Sequence, residues 1–153
     1  MTALSITAGI STEHLQQVYS DPRMQRIGHD HRQVGPVNHP LASYLSAWID
    51  REFVGAFLAI RSSMVEIDMH ALLLASATEQ SRALGRLAVD WAFDQPGVLR
   101  VTGYVIDGLD SALNYCKKVG MQYEGRRRHA CSQNGVPRDV HILGITRQDW
   151  IKS

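Results

Sequence analysis

The chain has 153 residues, a formal net charge of +1 at pH 7, and ordinary shares of hydrophobic (44%) and charged (20%) residues. This length predicts a single domain, 1–153, whose core is large enough to need no stabilising disulfide or metal. The near-neutral charge predicts neither specific nucleic-acid binding nor a basic membrane-binding surface.

Targeting signals and cysteines indicate the compartment. The first ten residues have no basic segment followed by an apolar run, so we expect no signal peptide. No apolar run reaches the ~18 residues that a membrane span needs. Cys116 and Cys131 are too few for a disulfide framework, and we expect both to be free thiols. These features predict a cytoplasmic protein.

The first quarter of the chain predicts one strand, two short helices and a loop. We expect a strand over Leu4–Ala8, then a helix capped by Ser11 or Thr12. Asp21 and Pro22 predict the start of a second helix, with the aspartate as cap and the proline in the first turn. The glycine and proline content of residues 29–40 predicts a loop.

That loop contains four potential metal ligands, His29, Asp30, His31 and His39. Imidazole and carboxylate groups are standard ligands, so a metal site is one interpretation. Their spacing matches no metal-binding motif, however, and the other interpretation is a polar surface loop rich in histidine. We adopt the second interpretation and predict no metal.

Three strands follow, over residues 42–50, 52–61 and 64–74. The third of them carries three ionisable side chains that are candidates for catalysis. Side chains alternate along a strand, so Glu66, Asp68 and His70 share one face. Three ionisable groups are costly on a buried face. They therefore line a wet cleft, or they form structural ion pairs with Arg61 or Arg100, and the sequence leaves both alternatives open.

The C-terminal half predicts a strand–helix–strand crossover and a final hairpin. A helix over 77–93 and a strand over 98–105 fit a right-handed connection. A second helix follows, which we expect Asp107 or Asp110 to cap and Gly120 to end. Asn134 and Gly135 then predict a tight turn between two strands.

The segment KKVGMQYEGRRRHACSQNGVPRDVHILGITRQDW, residues 117–150, resembles the C-terminal half of GNAT N-acetyltransferases. It is most similar to the branch that acetylates protein N-termini, including ribosomal-protein alanine acetyltransferases. The resemblance covers about residues 98–150 and is weaker over 44–97. It implies an α/β fold with a mixed, twisted central sheet of about seven strands flanked by helices.

The resemblance also implies the site. In GNAT folds the strand matching 64–74 borders the acetyl-CoA cleft and often supplies the base, which makes Glu66, Asp68 and His70 the candidates. A base is needed because a protonated amine cannot attack a thioester. The family's Arg/Gln-x-x-Gly-x-Gly/Ala loop implies acetyl-CoA binding near the start of the long helix. The implied cofactor-binding residues are Leu72, Leu73, Leu74, Thr78, Ser81, Arg82, Ala83, Gly85 and Ala112.

The sequence departs from the family pattern at three places. The loop fits neither in the register 82–87, which has Leu87 where Gly or Ala belongs, nor in the register 78–83, which lacks the first glycine. The usual Asn of the following helix is replaced by Leu109. The usual tyrosine that protonates the departing thiolate is replaced by Cys116, either a proton donor or a small core residue.

Two functions follow from the resemblance. The first is acetyl-CoA-dependent N-acetylation of an amine on a protein or a small molecule. The second is a catalytically silent GNAT-fold protein that binds a protein partner, for example a virion or accessory component encoded by a bacteriophage. A homo-oligomer or larger assembly is compatible with either.

The arginines at 126–128 have two interpretations, a binding site for an acidic group or a solvated strand edge.

Overall fold

A computed structural model describes residues 2–28, 30 and 34–152. The strands are β1 (Leu4–Ala8), β2 (Ala42–Ile49), β3 (Glu52–Arg61), β4 (Glu66–Leu73), β5 (Arg100–Ile106), β6 (Gln122–Gln133) and β7 (Val136–Thr146). The α-helices are α1 (Thr12–Ser20), α2 (Ser81–Asp94), α3 (Asp110–Val119) and α4 (Arg147–Lys152). Two 3-10 helices cover Pro22–Ile27 and Ala75–Gln80.

All seven strands form one twisted sheet in the order β1-β2-β3-β4-β5-β7-β6. Neighbouring strands are antiparallel except β4 and β5, which are parallel and joined through α2. This is the crossover that the sequence predicted, and a parallel pair requires such a connection. The prediction of a mixed sheet of about seven strands with flanking helices is confirmed.

The core has one layer on each face of the sheet. The larger layer packs α2 and α3 against the sheet through residues such as Leu84, Val89 and Leu143. The smaller layer lies under α1 and is built around Val18 and Leu72. β3 is buried on both faces, as its continuous apolar sequence indicated.

Gly55 marks the place where β3 and β4 approach most closely. Its φ is +134°, and a Cβ added there would lie 2.6 Å from the Cα of Leu73. Its neighbour β2 also shifts register at Ala47 and Trp48, opposite this glycine. The bulge or close approach predicted at Gly55 is therefore present, and it lies beside the end of β4.

The C-terminal half follows the prediction with one error. Gly120 ends α3 with φ +121°, and Asn134 and Gly135 make the hairpin turn with positive φ. The prediction that Asp107 or Asp110 caps α3 was wrong, because Leu109 is the capping residue and no side chain caps the helix. Asp107 instead binds His141, at 2.9 Å from its Nε2.

The helix predicted over 77–93 begins later than expected. A 3-10 helix occupies Ala75–Gln80, and the α-helix itself begins at Ser81. The sequence also gave no sign of α4, a short helix without buried residues. Across the described residues, none of the helices has the length and apolar character needed to cross a membrane.

Candidate active site

β4 and β5 are paired only at their first residues. Three pairs join them, Glu66 with Arg100, Ile67 with Val101 and Asp68 with Thr102, and beyond these the strands separate. The separation opens a cleft of about 520 Å³ through the sheet. Its walls come mainly from β3, β4, β5, α2 and α3, with further residues from β6, β7 and the segment around Val34 to Val37. Residues that the two strands would otherwise pair are thus available to a ligand.

Small residues line the helix side of this cleft. They are Ala71 of β4, Gly103 of β5, Gly85 of α2 and Ala112 of α3. A Cβ added at Gly103 would lie 3.1 Å from the sulfur of Met121. Short side chains leave the backbone of both strands accessible, which is the property that a narrow, extended ligand requires.

The edge of β4 presents backbone groups to the gap. The Val65 carbonyl accepts the N–H of Leu99 at 2.7 Å, so Val65 directs its backbone toward β5. Backbone directions alternate along a strand, and Ala71 therefore points the same way. Because β5 has moved away at this level, the N–H and carbonyl of Ala71 are not paired with that strand.

The three predicted cofactor-binding residues at the end of β4 differ in whether they line the cleft and whether their backbone groups are already hydrogen-bonded. Leu72 lines the cleft. The carbonyl of Leu73 already accepts a hydrogen bond from the guanidinium of Arg23. The N–H of Leu74 donates to Val54 at 2.9 Å, so its amide hydrogen is already used within the sheet.

The α-helix begins at Ser81, with Gln80 as its N-cap. This start is compatible with a third register of the family loop, 80–85, in which Gln80 takes the Arg/Gln position, Ala83 the first Gly position and Gly85 the last. Thr78 and Ser81 use their hydroxyls locally, donating to the carbonyls of Ala75 and Thr78. Arg82 is exposed. Arg82 and Ala83 lie in the first turn, where α-helical N–H groups lack partners within the helix.

The three candidate bases share one face of β4, as predicted, but their surroundings differ. Glu66 forms an ion pair with Arg100 at 3.3 Å and accepts a hydrogen bond from the Thr102 hydroxyl. Arg100 also binds Glu124 at 2.7 Å. The ion-pair alternative is therefore correct for Glu66, whose carboxylate joins β4 to β5, while Arg100 joins β5 to β6.

Asp68 lies one step closer to the open part of the cleft. Its carboxylate accepts a hydrogen bond from the Ser62 hydroxyl at 3.2 Å. Burial and the neighbouring charge of Glu66 raise the pKa of Asp68, more than the Ser62 bond and Arg100 lower it. An aspartate with a raised pKa is able to exchange a proton closer to neutral pH.

His70 is the first residue of this face that lines the cleft. Tyr104 of β5 lies on the same face and also lines it, at 40% exposure. Burial raises the pKa of Tyr104, and the charges of Asp68 and Glu66 add to that increase. The sequence analysis missed Tyr104, although strand alternation from Arg100 places it on this face.

Cys116 and Tyr115 lie on the opposite side of the cleft. Burial raises the pKa of the Cys116 thiol to about 11, so it is protonated at neutral pH. Tyr115 also lines the cleft. Its hydroxyl donates to the carbonyl of Ser81 at 2.9 Å, which joins α3 to the start of α2. Burial strongly raises the pKa of this phenol.

The run of arginines in β6 is divided between the two faces of the sheet. Arg126 binds Asp139 at 3.0 Å and approaches Asp107, so it is part of a surface ion-pair network. Arg127 lines the cleft on the face of Tyr104. Arg128 lies in an irregular stretch of the strand and is exposed.

The loop considered as a metal site is attached to the final hairpin where the structure describes it. Asp30 accepts hydrogen bonds from the Ser132 hydroxyl and from the backbone of Asn134 and Gly135. His39 accepts the N–H of Leu41. His29 and His31 lie outside the described residues. No group of three potential ligands is close enough to hold a metal among residues 2–28, 30 and 34–152.

Comparison with known proteins identifies the fold. No family model matches the sequence, and no curated protein matches it significantly. The structure is similar to spermidine N-acetyltransferase from Vibrio cholerae in complex with CoA and spermine, with a TM-score of 0.79 and 12% identity. That similarity covers 97% of this chain and 98% of the other.

Two further structures give the same result. A point mutant of the Vibrio cholerae SpeG spermidine N-acetyltransferase aligns with a TM-score of 0.78 and 13% identity over 97% of this chain and 96% of that one. A chimera of the Vibrio cholerae enzyme and hSSAT aligns with a TM-score of 0.75 and 12% identity, over 97% and 98%. Neither comparison supports the bacteriophage alternative. The resemblance seen in the sequence is confirmed at the level of structure: the chain has the GNAT fold.

Proposed function

We propose that this protein is an acetyl-CoA-dependent N-acetyltransferase that acts on a small-molecule amine. The observation that carries the proposal is the separation of β4 and β5 beyond Asp68 and Thr102, which opens a cleft with small residues on one side and ionisable residues on the other. The similar structures are N-acetyltransferases, and the first of them contains CoA. The oligomer and the protein partner remain predictions.

The helix side of the cleft fits acetyl-CoA. The unpaired backbone of Ala71 offers hydrogen bonds to an extended, amide-containing chain. The first turn of α2, at Arg82 and Ala83, offers N–H groups and the positive end of the helix dipole to a pyrophosphate. Gly85, Gly103 and Ala112 leave room between these two places. In the register 80–85 the uncharged Gln80 takes the Arg/Gln position, and Ala83 and Gly85 take the two small-residue positions.

The opposite face provides the acceptor chemistry. Of the three candidates, we assign the base to His70, because it lines the cleft, whereas Glu66 is held by Arg100 and Thr102. Asp68, two residues away on the same face, supplies a negative charge that attracts an ammonium group. His70 accepts a proton from the ammonium group, and the neutral amine nitrogen that results attacks the thioester carbonyl. The positively charged nitrogen of the adduct then releases a second proton to solvent.

Collapse of the resulting adduct breaks the carbon–sulfur bond and forms the amide. The departing thiolate takes up a proton, and Cys116 is the proposed donor because its thiol lines the cleft and is protonated at neutral pH. A thiolate is a good leaving group, so this contribution is small compared with that of the base.

The test is an acetylation assay with acetyl-CoA and a panel of primary amines, in which CoA release and product mass are both measured. We expect the wild-type protein to acetylate at least one amine. The His70→Ala variant should do so at least about 10²-fold more slowly at neutral pH. Wild-type turnover indistinguishable from the uncatalysed rate for every amine would contradict the proposal.

A further inference from the structure

The acceptor face of the cleft has a negative and a positive end. Asp68 and His70 occupy the β4 side of this face. Arg127 of β6 occupies the other side of this face. Tyr104 of β5 lies between them and also lines the cleft. In addition to burial, the charge of Asp68 raises the pKa of the Tyr104 phenol, and the charge of Arg127 lowers it. An acceptor in this cleft therefore meets opposite charges at its two ends.

The positive end contains a second arginine. Arg138 of β7 is paired with Cys131 of β6, and Val140 is paired with Arg127. Alternation along β7 places Arg138 and Val140 on one face, and both Val140 and Cys131 line the cleft. Arg127 thus lines the cleft, and Arg138 lies on the same face of the hairpin.

These arginines have no anionic partner within the described part of the chain. All the arginine ion pairs among the described residues involve Arg100 or Arg126. No described carboxylate oxygen lies within 4.0 Å of a side-chain nitrogen of Arg127 or Arg138. The Nε of Arg138 is buried and has no hydrogen-bond acceptor among the described residues. A buried guanidinium nitrogen without an acceptor is costly, because it has lost its water and gained nothing in exchange.

From this arrangement we infer that the acceptor carries a carboxylate as well as an amine, with the carboxylate bound by Arg127 and Arg138 and the amine placed at Asp68 and His70. The inference rests on the proposed function and narrows its substrate class to amino acids or short peptides with a free carboxyl end. Guanidinium groups suit this role because their planar array of donors matches the two oxygens of a carboxylate.

The arginines lie on a different face of the sheet from the place where the phosphates of acetyl-CoA are expected to bind. The first turn of α2 and the small residues Gly85 and Ala112 lie on the helix face of the sheet, whereas Arg127 lies on the face of Asp68 and Tyr104. A loss of acetyl-CoA affinity in an Arg127 variant would therefore indicate phosphate binding instead.

The experiment measures acceptor binding by calorimetry on the protein saturated with CoA, so that no turnover is needed. The probes are matched pairs: phenylalanine with phenethylamine, and alanyl-alanine with its C-terminal amide. Spermidine is included as a carboxylate-free polyamine. We expect at least one carboxylate-bearing member to bind about 10-fold or more tightly than its partner. In Arg127→Gln that preference should disappear while the affinity for acetyl-CoA stays within about 2-fold of wild type.

Arg128→Gln is the matched control, since Arg128 is exposed in the same strand and does not line the cleft. This variant should keep the preference. Equal or tighter binding of the carboxylate-free members, or no binding of any acid, would overturn the inference while leaving the acetylation assay free to support the proposed function. Loss of acetyl-CoA binding in Arg127→Gln would overturn it as well.

Discussion

The two halves of the β4–β5 pair have opposite structures, although the same two strands form both. In the paired half, Glu66 of β4 binds Arg100 and Thr102 of β5, and these two residues also bind each other. In the open half, no residue pair joins the strands, and the small residues Ala71 and Gly103 are among those that line the gap. Polar side chains therefore link the two strands where they are paired, and a cleft replaces that link where they separate.

This difference separates structural from chemical residues on a single strand face. Glu66 belongs to the paired half, and its charge is balanced by Arg100. His70 belongs to the open half and lines the cleft. Asp68 lies at the boundary, in the last pair before the strands separate. A substitution at Glu66 should therefore mainly affect stability, and a substitution at His70 should mainly affect activity.

The largest effect is expected in the open half, for His70→Ala. Loss of the proposed base should lower kcat/KM about 10²- to 10⁴-fold near neutral pH, with the free energy of unfolding changed little because His70 is only partly buried. Steady-state kinetics with thermal melting checks this. An activity within about 3-fold of wild type would show that the base lies elsewhere.

The next effect is expected at the boundary, for Asp68→Asn. Its pKa is raised in the folded protein, by burial first and then by Glu66, so ionising this carboxyl costs stability as pH rises from its ordinary pKa through the raised one. Asparagine removes that cost. We expect the variant to melt at the same or a higher temperature than wild type at pH 7.

The activity of Asp68→Asn should fall about 10-fold, because the ammonium loses an attractive charge. The advantage in melting temperature should vanish below the ordinary pKa of aspartate, where the wild-type carboxyl is protonated in both states. A variant that is less stable than wild type at pH 7 would contradict this reading of Asp68.

In the paired half, Glu66→Gln should affect stability more than activity. It leaves Arg100 with one carboxylate partner instead of two, and the expected loss is about 1 kcal/mol of the free energy of unfolding in urea. Glu124→Gln is the control, since that carboxylate is more exposed, at 37% against 25%, and should cost less. A large loss of activity without a loss of stability would assign Glu66 to catalysis.

The smallest effect concerns thiol reactivity on the helix side of the cleft. With a pKa of about 11, Cys116 has only about 0.1% thiolate at pH 8. We expect iodoacetamide to modify Cys131 first, and Cys116 to react only as the pH approaches 11. Peptide mass mapping of the two cysteines checks the order. Rapid modification of Cys116 at pH 8 would show that it is an activated thiol.

Most of the fold was predictable from local patterns. Period-2 alternation, the cap at Ser11, the turn at Asn134 and the helix stop at Gly120 each depend on a few neighbouring residues, and each appears where the sequence placed it. The predictions failed where contacts between residues distant in sequence determine the local structure. Asp107 would make a good cap, but His141 and Arg126 lie close to it in the folded chain and bind it instead.

The site was predictable as a strand face but not as a cleft. Alternation placed Glu66, Asp68 and His70 together, yet only the pairing of Glu66 with Arg100 and the parting of the strands distinguish their roles. Tyr104 was missed as a site residue because it comes from another strand, and the sequence did not show which of the arginines at 126–128 lines the cleft. The loop register beginning at Gln80 was missed because the sequence did not show where the 3-10 helix ends.

The most direct test of this account is calorimetric titration of the protein with acetyl-CoA, in wild type and in Ala71→Trp, which fills the open half of the strand pair. The account predicts wild-type binding with Kd on the order of micromolar, with a matching rise in Tm. Binding should be at least about 30-fold weaker in Ala71→Trp. Ala3→Trp, at an exposed position outside the cleft, should bind as wild type does. No heat and no rise in Tm for the wild type at millimolar acetyl-CoA would contradict the account.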